Sequence, residues 1–142
     1  MKLSSRSRYG LRAVLDLALH YGKGPLQIRA IAAREEISNK YLEQLMTILK
    51  TSGLVRSLRG PKGGYILSKP PDQIKLKEVI TALEGPLFPV ECLQHPQFCP
   101  HCAECITRQV WADVQEAMLG VLEATNMQDL VDRVKTSENR KA

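Results

Sequence analysis

Between residues 28 and 67, two apolar periodicities and one glycine-rich turn leave few ways to fold. Ile28, Ile31 and Ala32 recur at helical spacing, and a polar break follows from Arg34 to Glu36, with Ile37 after it. Ser38 is placed to cap a second helix, whose apolar face is Tyr41, Leu42, Leu45, Met46 and Leu49 and whose end is marked by Gly53. Two helices with a tight link and a strongly amphipathic second member make a helix-turn-helix. The pattern then changes. Leu54 to Leu58 reads as a short strand, Gly60-Pro61-Lys62-Gly63-Gly64 as a turn and Tyr65 to Leu67 as the returning strand. A helix-turn-helix followed by a hairpin predicts a winged helix, mainly α with a small β wing.

The rest of the chain builds around that unit. Leu11, Val14, Leu15, Ala18 and Leu19 predict an opening helix, punctuated by Gly22, Gly24 and Pro25. Leu76, Val79, Ile80 and Leu83 predict another short helix, closed by Gly85-Pro86. Pro86, Pro89, Pro96 and Pro100 make the next stretch an irregular loop. A long helix from about Cys105 to Thr125 then carries the wide apolar stripe Ile106, Val110, Trp111, Val114, Ala117, Met118, Val121 and Leu122. Met127 to Val134 reads as a short last helix, capped by Thr125 with Gln128, and the polar tail from Thr136 to Ala142 is expected to fray. The expected organisation is a winged domain over 1–85, a cysteine-rich loop over 86–104, and a dimerisation helix with the terminal helix over 105–135. So wide a stripe needs a partner surface, and a two-fold homodimer is the commonest solution. No apolar run is long enough to cross a bilayer, and no secretory leader is expected at the opening residues, which points to the cytoplasm.

Charge is divided unevenly along the 142 residues. Residues 1–75 hold 14 Lys and Arg against 5 Asp and Glu, whereas residues 76–142 hold 6 against 10. A front half of +9 is the footprint of a polyanion binder. The major groove of B-DNA admits one helix, read mainly by its N-terminal residues, which here are Ser38, Asn39, Lys40, Tyr41, Glu43 and Gln44. Gln44 suits adenine, Glu43 suits the cytosine amino group, and Ser38 or Lys40 suits phosphate. Tyr41 also lies on the apolar face. The wing supplies Arg56, Arg59, Gly60 and Lys62, with Arg59 beside the tip, where a guanidinium gains most in a narrow minor groove. Arg6, Arg8 and Arg12 are candidate phosphate contacts. The glycine-rich turn lacks P-loop spacing. Only three histidines occur, with no nucleophile–base or paired-carboxylate spacing, so an enzyme is not expected.

Cys92, Cys99, Cys102 and Cys105 fall within 14 residues. Such a cluster in a reducing compartment points to a metal rather than disulfides. Cys99-x2-Cys102-x2-Cys105 has the close spacing of ferredoxin-type iron–sulfur ligands. Four thiolates also suit tetrahedral zinc, although structural zinc sites usually come as two separated knuckles. Free thiols are the remaining alternative. His95 and His101 share the loop and are expected to be bystanders.

Met1-Lys2-Leu3-Ser4, Arg8-Tyr9-Gly10-Leu11-Arg12, Ile37-Ser38-Asn39-Lys40-Tyr41-Leu42-Glu43-Gln44-Leu45, Arg59-Gly60-Pro61-Lys62-Gly63-Gly64-Tyr65 and Leu83-Glu84-Gly85-Pro86 together resemble one family. It is the bacterial winged-helix transcriptional regulators of the IscR, NsrR and CymR kind. The resemblance implies a homodimer, held by the long C-terminal helix, on an imperfect palindrome of double-stranded promoter DNA. It marks Ser38, Lys40, Glu43 and Gln44 as base or phosphate contacts and Arg59 as the minor-groove arginine. It also implies an iron–sulfur cluster held by the triad Cys92, Cys99 and Cys105, with Trp111 at the family's interval. Arg108 stands where IscR-like members carry a histidine ligand, and Arg8 stands where NsrR-like members carry an aspartate. Cys102 is left as fourth ligand, compatible with a two-iron or a four-iron cluster. A CymR-like regulator, answering to a protein or metabolite partner with zinc or nothing on its cysteines, is the alternative.

Overall fold

The computed structural model describes residues 2–141; Met1 and Ala142, which end the opening motif and the polar tail, lie outside them. Helix α1 (Ser5–Leu19) begins at Ser4, whose hydroxyl accepts the Ser7 amide. The same end is held from across the molecule by Glu84. Its carboxylate accepts the Ser4 amide at 3.1 Å, the Ser4 hydroxyl at 2.7 Å and the hydroxyl of fully buried Ser7. The Ser7 hydroxyl first, and Ser4 next, hold the Glu84 carboxyl below its ordinary range. A depressed carboxylate stabilises the fold above its unfolded value, and that stability is lost as pH falls through its folded one. Glu84→Gln is therefore expected to cost about 1 kcal/mol at neutral pH, the size of a lost helix cap. The gap from wild type should close below the ordinary carboxylate range, as read by urea unfolding across pH.

Helix α2 (Ile28–Glu35) ends at Glu36, whose left-handed φ of 56° turns the chain toward α3 (Asn39–Thr51). Ser38 caps α3, its hydroxyl accepting the Tyr41 amide at 3.0 Å. Leu42, Leu45, Met46 and Leu49 are fully buried on one side of α3 and meet Val14 and Ile31 in the core. Helices α2 and α3 are the helix-turn-helix the periodicity predicts, and α1 packs against them.

Strands β1 (Val55–Leu58) and β2 (Gly64–Leu67) pair antiparallel, from Val55 opposite Leu67 to Leu58 opposite Gly64. Leu26 adds a bridge on the other edge, exchanging backbone hydrogen bonds with Tyr65 at 2.8 and 3.0 Å. The paired glycines of the wing are needed here. A Cβ on Gly63 would strike the Leu58 carbonyl, and one on Gly64, at φ 151°, would strike the Leu26 carbonyl. Their first role is thus to let the wing close on its own domain.

Helix α4 (Leu76–Glu84) leads through buried Leu87 into an irregular segment with three short 3-10 turns at Glu91–Leu93, Pro96–Phe98 and Cys102–Glu104. Helix α5 (Ile106–Ala124) buries none of its residues fully, and α6 (Met127–Lys141) turns back to place Met127 and Val131 in the core of the winged domain. The turn is fastened by backbone hydrogen bonds from Leu76 to Thr125 (2.8 Å) and from Met127 to Ile74 (2.9 Å).

Two details of the C-terminus differ from expectation. The cap of α6 is Asn126 with Asp129, each side chain accepting the other's amide (2.8 and 2.9 Å), while the Thr125 hydroxyl bonds back to Val121 in α5. The helix also continues to Lys141 instead of ending near Val134. Nothing between 127 and 141 breaks it: no Gly or Pro intervenes, Gln128 bonds Asp132 one turn on, and Arg140 and Lys141 oppose the helix dipole at its C-terminal end.

Candidate nucleic-acid interface and cysteine loop

Burying the apolar side of α3 turns the opposite side outward. Ser38, Asn39, Lys40, Glu43 and Gln44 are all exposed, and so is Thr47 one turn later, with its hydroxyl on the Glu43 carbonyl at 2.9 Å. Thr47 was not singled out by sequence, although its spacing from Glu43 and Gln44 extends the same face. Tyr41 is placed differently. It is half-buried, its hydroxyl meets Ser5 at 3.0 Å, and its ring stands edge-on to Tyr9 with centroids 6.2 Å apart. Through this tyrosine pair the start of α1 lies beside the start of α3.

The same juxtaposition brings Arg8 and Arg12 of α1 to that side. Arg8 and Arg12 both lie over the Tyr9 ring, at 5.9 and 5.5 Å. Arg12 is also ion-paired with Glu35 at 2.6 Å, which occupies part of its charge. Arg6 and Arg8 are exposed without an ion-pair partner among the described residues. In the wing, Arg56, Arg59, Gly60 and Lys62 are exposed, and the three cations there are likewise unpaired among the described residues.

One polar cluster around buried Asp16 supports this face and has no counterpart in the sequence reading. Asp16 of α1 is 5% exposed and receives two donors from Arg34 of α2, at 2.9 and 2.8 Å on one carboxylate oxygen. His20 completes the cluster, with Nδ1 2.8 Å from the Asp16 backbone carbonyl and 3.4 Å from its carboxylate. Arg34 is thus the pin between α1 and α2 as well as part of a polar break. Only its position beside a turn hinted at this, because no local pattern pairs residues 16 and 34.

The four cysteines are free and half-buried. Cys105 is the N-cap residue of α5, its sulfur 3.2 Å from the Thr107 hydroxyl. That hydroxyl, and after it the Arg108 amide at the helix start, pull the Cys105 thiol below its ordinary value. Cys102 is shifted the other way, first by desolvation and then by the neighbouring Cys99 and Cys92, with Arg108 opposing. Cys102 therefore lies near both Cys99 and Cys92. Among the described residues, however, no three His, Cys, Asp or Glu side chains converge on one point. Arg108 donates to the Cys92 carbonyl at 3.4 Å through two nitrogens, which ties the loop to the first turn of α5. His95 packs edge-on against Phe98, with ring centroids 5.3 Å apart.

The Rrf2 pattern, described as "Iron-dependent Transcriptional regulator", matches residues 3–133. The chain belongs to the Rrf2 family. Among Rrf2 relatives, the HTH-type transcriptional regulator CymR of Bacillus subtilis is 40% identical over 130 residues, covering 92% of this chain and 89% of that one. The solved structure of CymR, the global cysteine regulator of B. subtilis, superposes with a TM-score of 0.81 at 38% identity, covering 94% of this chain and 98% of that one. IscR of T. potens does so with a TM-score of 0.79 at 35% identity, covering 96% and 90%. Membership in Rrf2 makes this chain a winged-helix transcriptional regulator, not an enzyme. No helix among the described residues is long and apolar enough to cross a membrane.

Proposed function

We propose that this regulator is a homodimer that grips an imperfect palindrome in promoter DNA, with α3 in the major groove and the wing in the flanking minor groove. The observation that carries this is one exposed polar surface at the start of α3, made of Ser38, Asn39, Lys40, Glu43 and Gln44. It is accompanied by Arg6 and Arg8 of α1 and by Arg59 and Lys62 of the wing, cations without an ion-pair partner among the described residues. Lys40 and the Ser38 hydroxyl hydrogen hold phosphate; Asn39, Glu43 and Gln44 read base edges. Tyr41 is a positioning residue, since its hydroxyl is committed to Ser5. Arg56 adds a phosphate contact and Gly60 lets the tip turn, at φ 102°.

Selection from random duplexes should return a two-fold-related site. On that site Arg59→Ala is expected to weaken binding by about 1–3 kcal/mol and to relax the A·T preference flanking each half-site. Lys62→Ala should weaken all sequences alike and reduce the salt slope by about one. Failure to retain any duplex above the non-specific background would end this reading.

The cysteine loop is proposed to modulate that binding by holding an iron–sulfur cluster. The donor set fits in its chemistry, being four half-buried thiols within one loop, with Cys102 beside Cys99. Cys92, Cys99 and Cys105 would hold the cluster with Cys102 as fourth ligand, once Cys105 leaves Thr107. When bound, such a cluster supplies a redox-sensitive, thiolate-bridged centre. The protein's own part is mechanical. Cys105 caps α5 and Arg108 fastens Cys92 to its first turn, so ordering the loop fixes where α5 begins. Because α5 is proposed to join the subunits, its start sets the separation of the two α3 helices. Anaerobic reconstitution with iron and sulfide should give a broad visible absorption, lost in Cys99→Ser, and a shift in operator affinity. Zinc or no metal on a colourless protein, with unchanged operator binding, would favour the second reading, in which a protein or metabolite partner gives control. The observation on that side is that no three His, Cys, Asp or Glu side chains converge among the described residues.

A further inference from the structure

A second site lies on the winged domain, away from both α5 and the cysteine loop. Between the end of α1, the loop over 20–26 and the hairpin is a cavity of about 360 Å³. That is toward the small end of small-molecule sites, which run from about 300 to 1,000 Å³. Leu17, Leu26 and Leu58 give it apolar walls, and His20, Tyr21 and Arg56 supply its polar groups. The polar groups are differently committed. The His20 ring is held by the Asp16 carbonyl at Nδ1, which leaves Nε2 as its remaining polar atom. Arg56 has no ion-pair partner among the described residues. Tyr21 is 46% exposed and Leu58 45%, so the two are a rim that an occupant would cover.

We infer that this cavity binds a small organic anion, a carboxylate on a compact apolar or aromatic body, and that occupancy weakens the grip on DNA. The apolar walls reward a hydrophobic body. The unpaired guanidinium rewards a carboxylate, with which it forms paired charge-assisted hydrogen bonds, and disfavours a cation. A neutral ligand would desolvate Arg56 without compensating it. Coupling follows from the chain, because Arg56 stands three residues before Arg59 on the strand that leads to the wing tip. A carboxylate that takes Arg56 removes a phosphate contact, and what the anion does to DNA affinity DNA must do equally to anion affinity. This coupling rests on the DNA-binding reading; the anion site does not.

The test uses 1-naphthoate as probe and neutral 1-naphthalenemethanol as its uncharged counterpart. Titration of ¹⁵N-labelled protein without DNA should give saturable amide shifts confined to the surroundings of Tyr21, Leu26, Arg56 and Ile66. The alcohol should bind about tenfold more weakly, and so should naphthoate to Arg56→Gln, the loss expected for one charge-assisted contact. Tyr21→Ala, outside the DNA face, should weaken naphthoate several-fold while leaving promoter-duplex affinity unchanged. Saturating naphthoate should lower duplex affinity of the wild type. Shifts scattered over the surface, equal binding of the alcohol, or wild-type affinity in a folded Arg56→Gln protein would overturn the site. Naphthoate and duplex binding independently would overturn the coupling. Naphthoate binding as described to a protein that retains no duplex would remove the DNA reading and leave the anion site standing.

Discussion

Val114→Lys is expected to sediment as a monomer and to bind a palindromic duplex about 10²–10⁴-fold more weakly, the range by which linking two modules raises avidity. The reasoning begins with what α5 lacks. Of its 19 residues none is fully buried. Its inner side is half-covered by α4 and by the segment that follows it, where Gln115 reaches the Leu87 carbonyl at 2.8 Å. The outward stripe is bare: Ile106, Val110, Trp111, Val114 and Val121 are each between 41% and 69% exposed. Successive spacings of four, four and seven put Ile106, Val110, Val114 and Val121 on one face, the geometry of a helix that packs against a like helix. In a two-fold interface one substitution enters twice. Two desolvated ammonium groups without partners then oppose association, each costing several kcal/mol. Gln109→Lys adds the same charge off the stripe and should remain a dimer. A dimeric Val114→Lys protein would show that the stripe is not the subunit contact. A monomer with wild-type operator affinity would show that two-fold binding is not how the regulator holds DNA.

How far these features could be read beforehand depended on the range of the interactions that create them. Ser38 capping α3, the apolar face of α3 and the wing turn are local, and each was visible within a few residues. The stripe on α5 was visible because periodicity survives without a partner. Glu84 was visible only as part of a motif. Its work, clamping Ser4 and Ser7 nearly 80 positions earlier, is a contact no local pattern encodes. The pin between Asp16 and Arg34 is of the same kind. Tyr41 fitted two roles by spacing, and only the Ser5 hydroxyl and the Tyr9 ring distinguish them. The cysteines show the converse: their clustering was evident from spacing, but the contact of the Cys105 sulfur with the Thr107 hydroxyl depends on how the loop enters α5. The extension of α6 beyond Val134 was missed because a polar segment without breakers looks the same whether it is frayed or helical.

Arg34→Met should destabilise the protein by about 3 kcal/mol, the lower end of the cost of stranding a buried charge, here that of Asp16. Asp16 is 5% exposed, so its carboxylate depends on protein donors, and Arg34 supplies two of them. His20 cannot take over, because the ring nitrogen nearest that carboxylate is already held by the Asp16 backbone carbonyl at 2.8 Å. For a chain of this length the loss corresponds to a fall in Tm of about 10 °C. The double variant Asp16→Leu/Arg34→Met removes the stranded charge and replaces the pair by apolar contact between α1 and α2. It should recover most of the lost stability, as buried ion pairs replaced by apolar groups commonly do. A single variant as stable as wild type would mean that Asp16 is solvated in the native protein. A double variant no better than the single would mean that Arg34 acts through its packing and not through its charge. Operator affinity separates the remaining roles: recovered stability with weakened binding would make the Asp16–Arg34 pair a device for orienting α2, and through Glu36 the recognition helix, more than for holding the fold together.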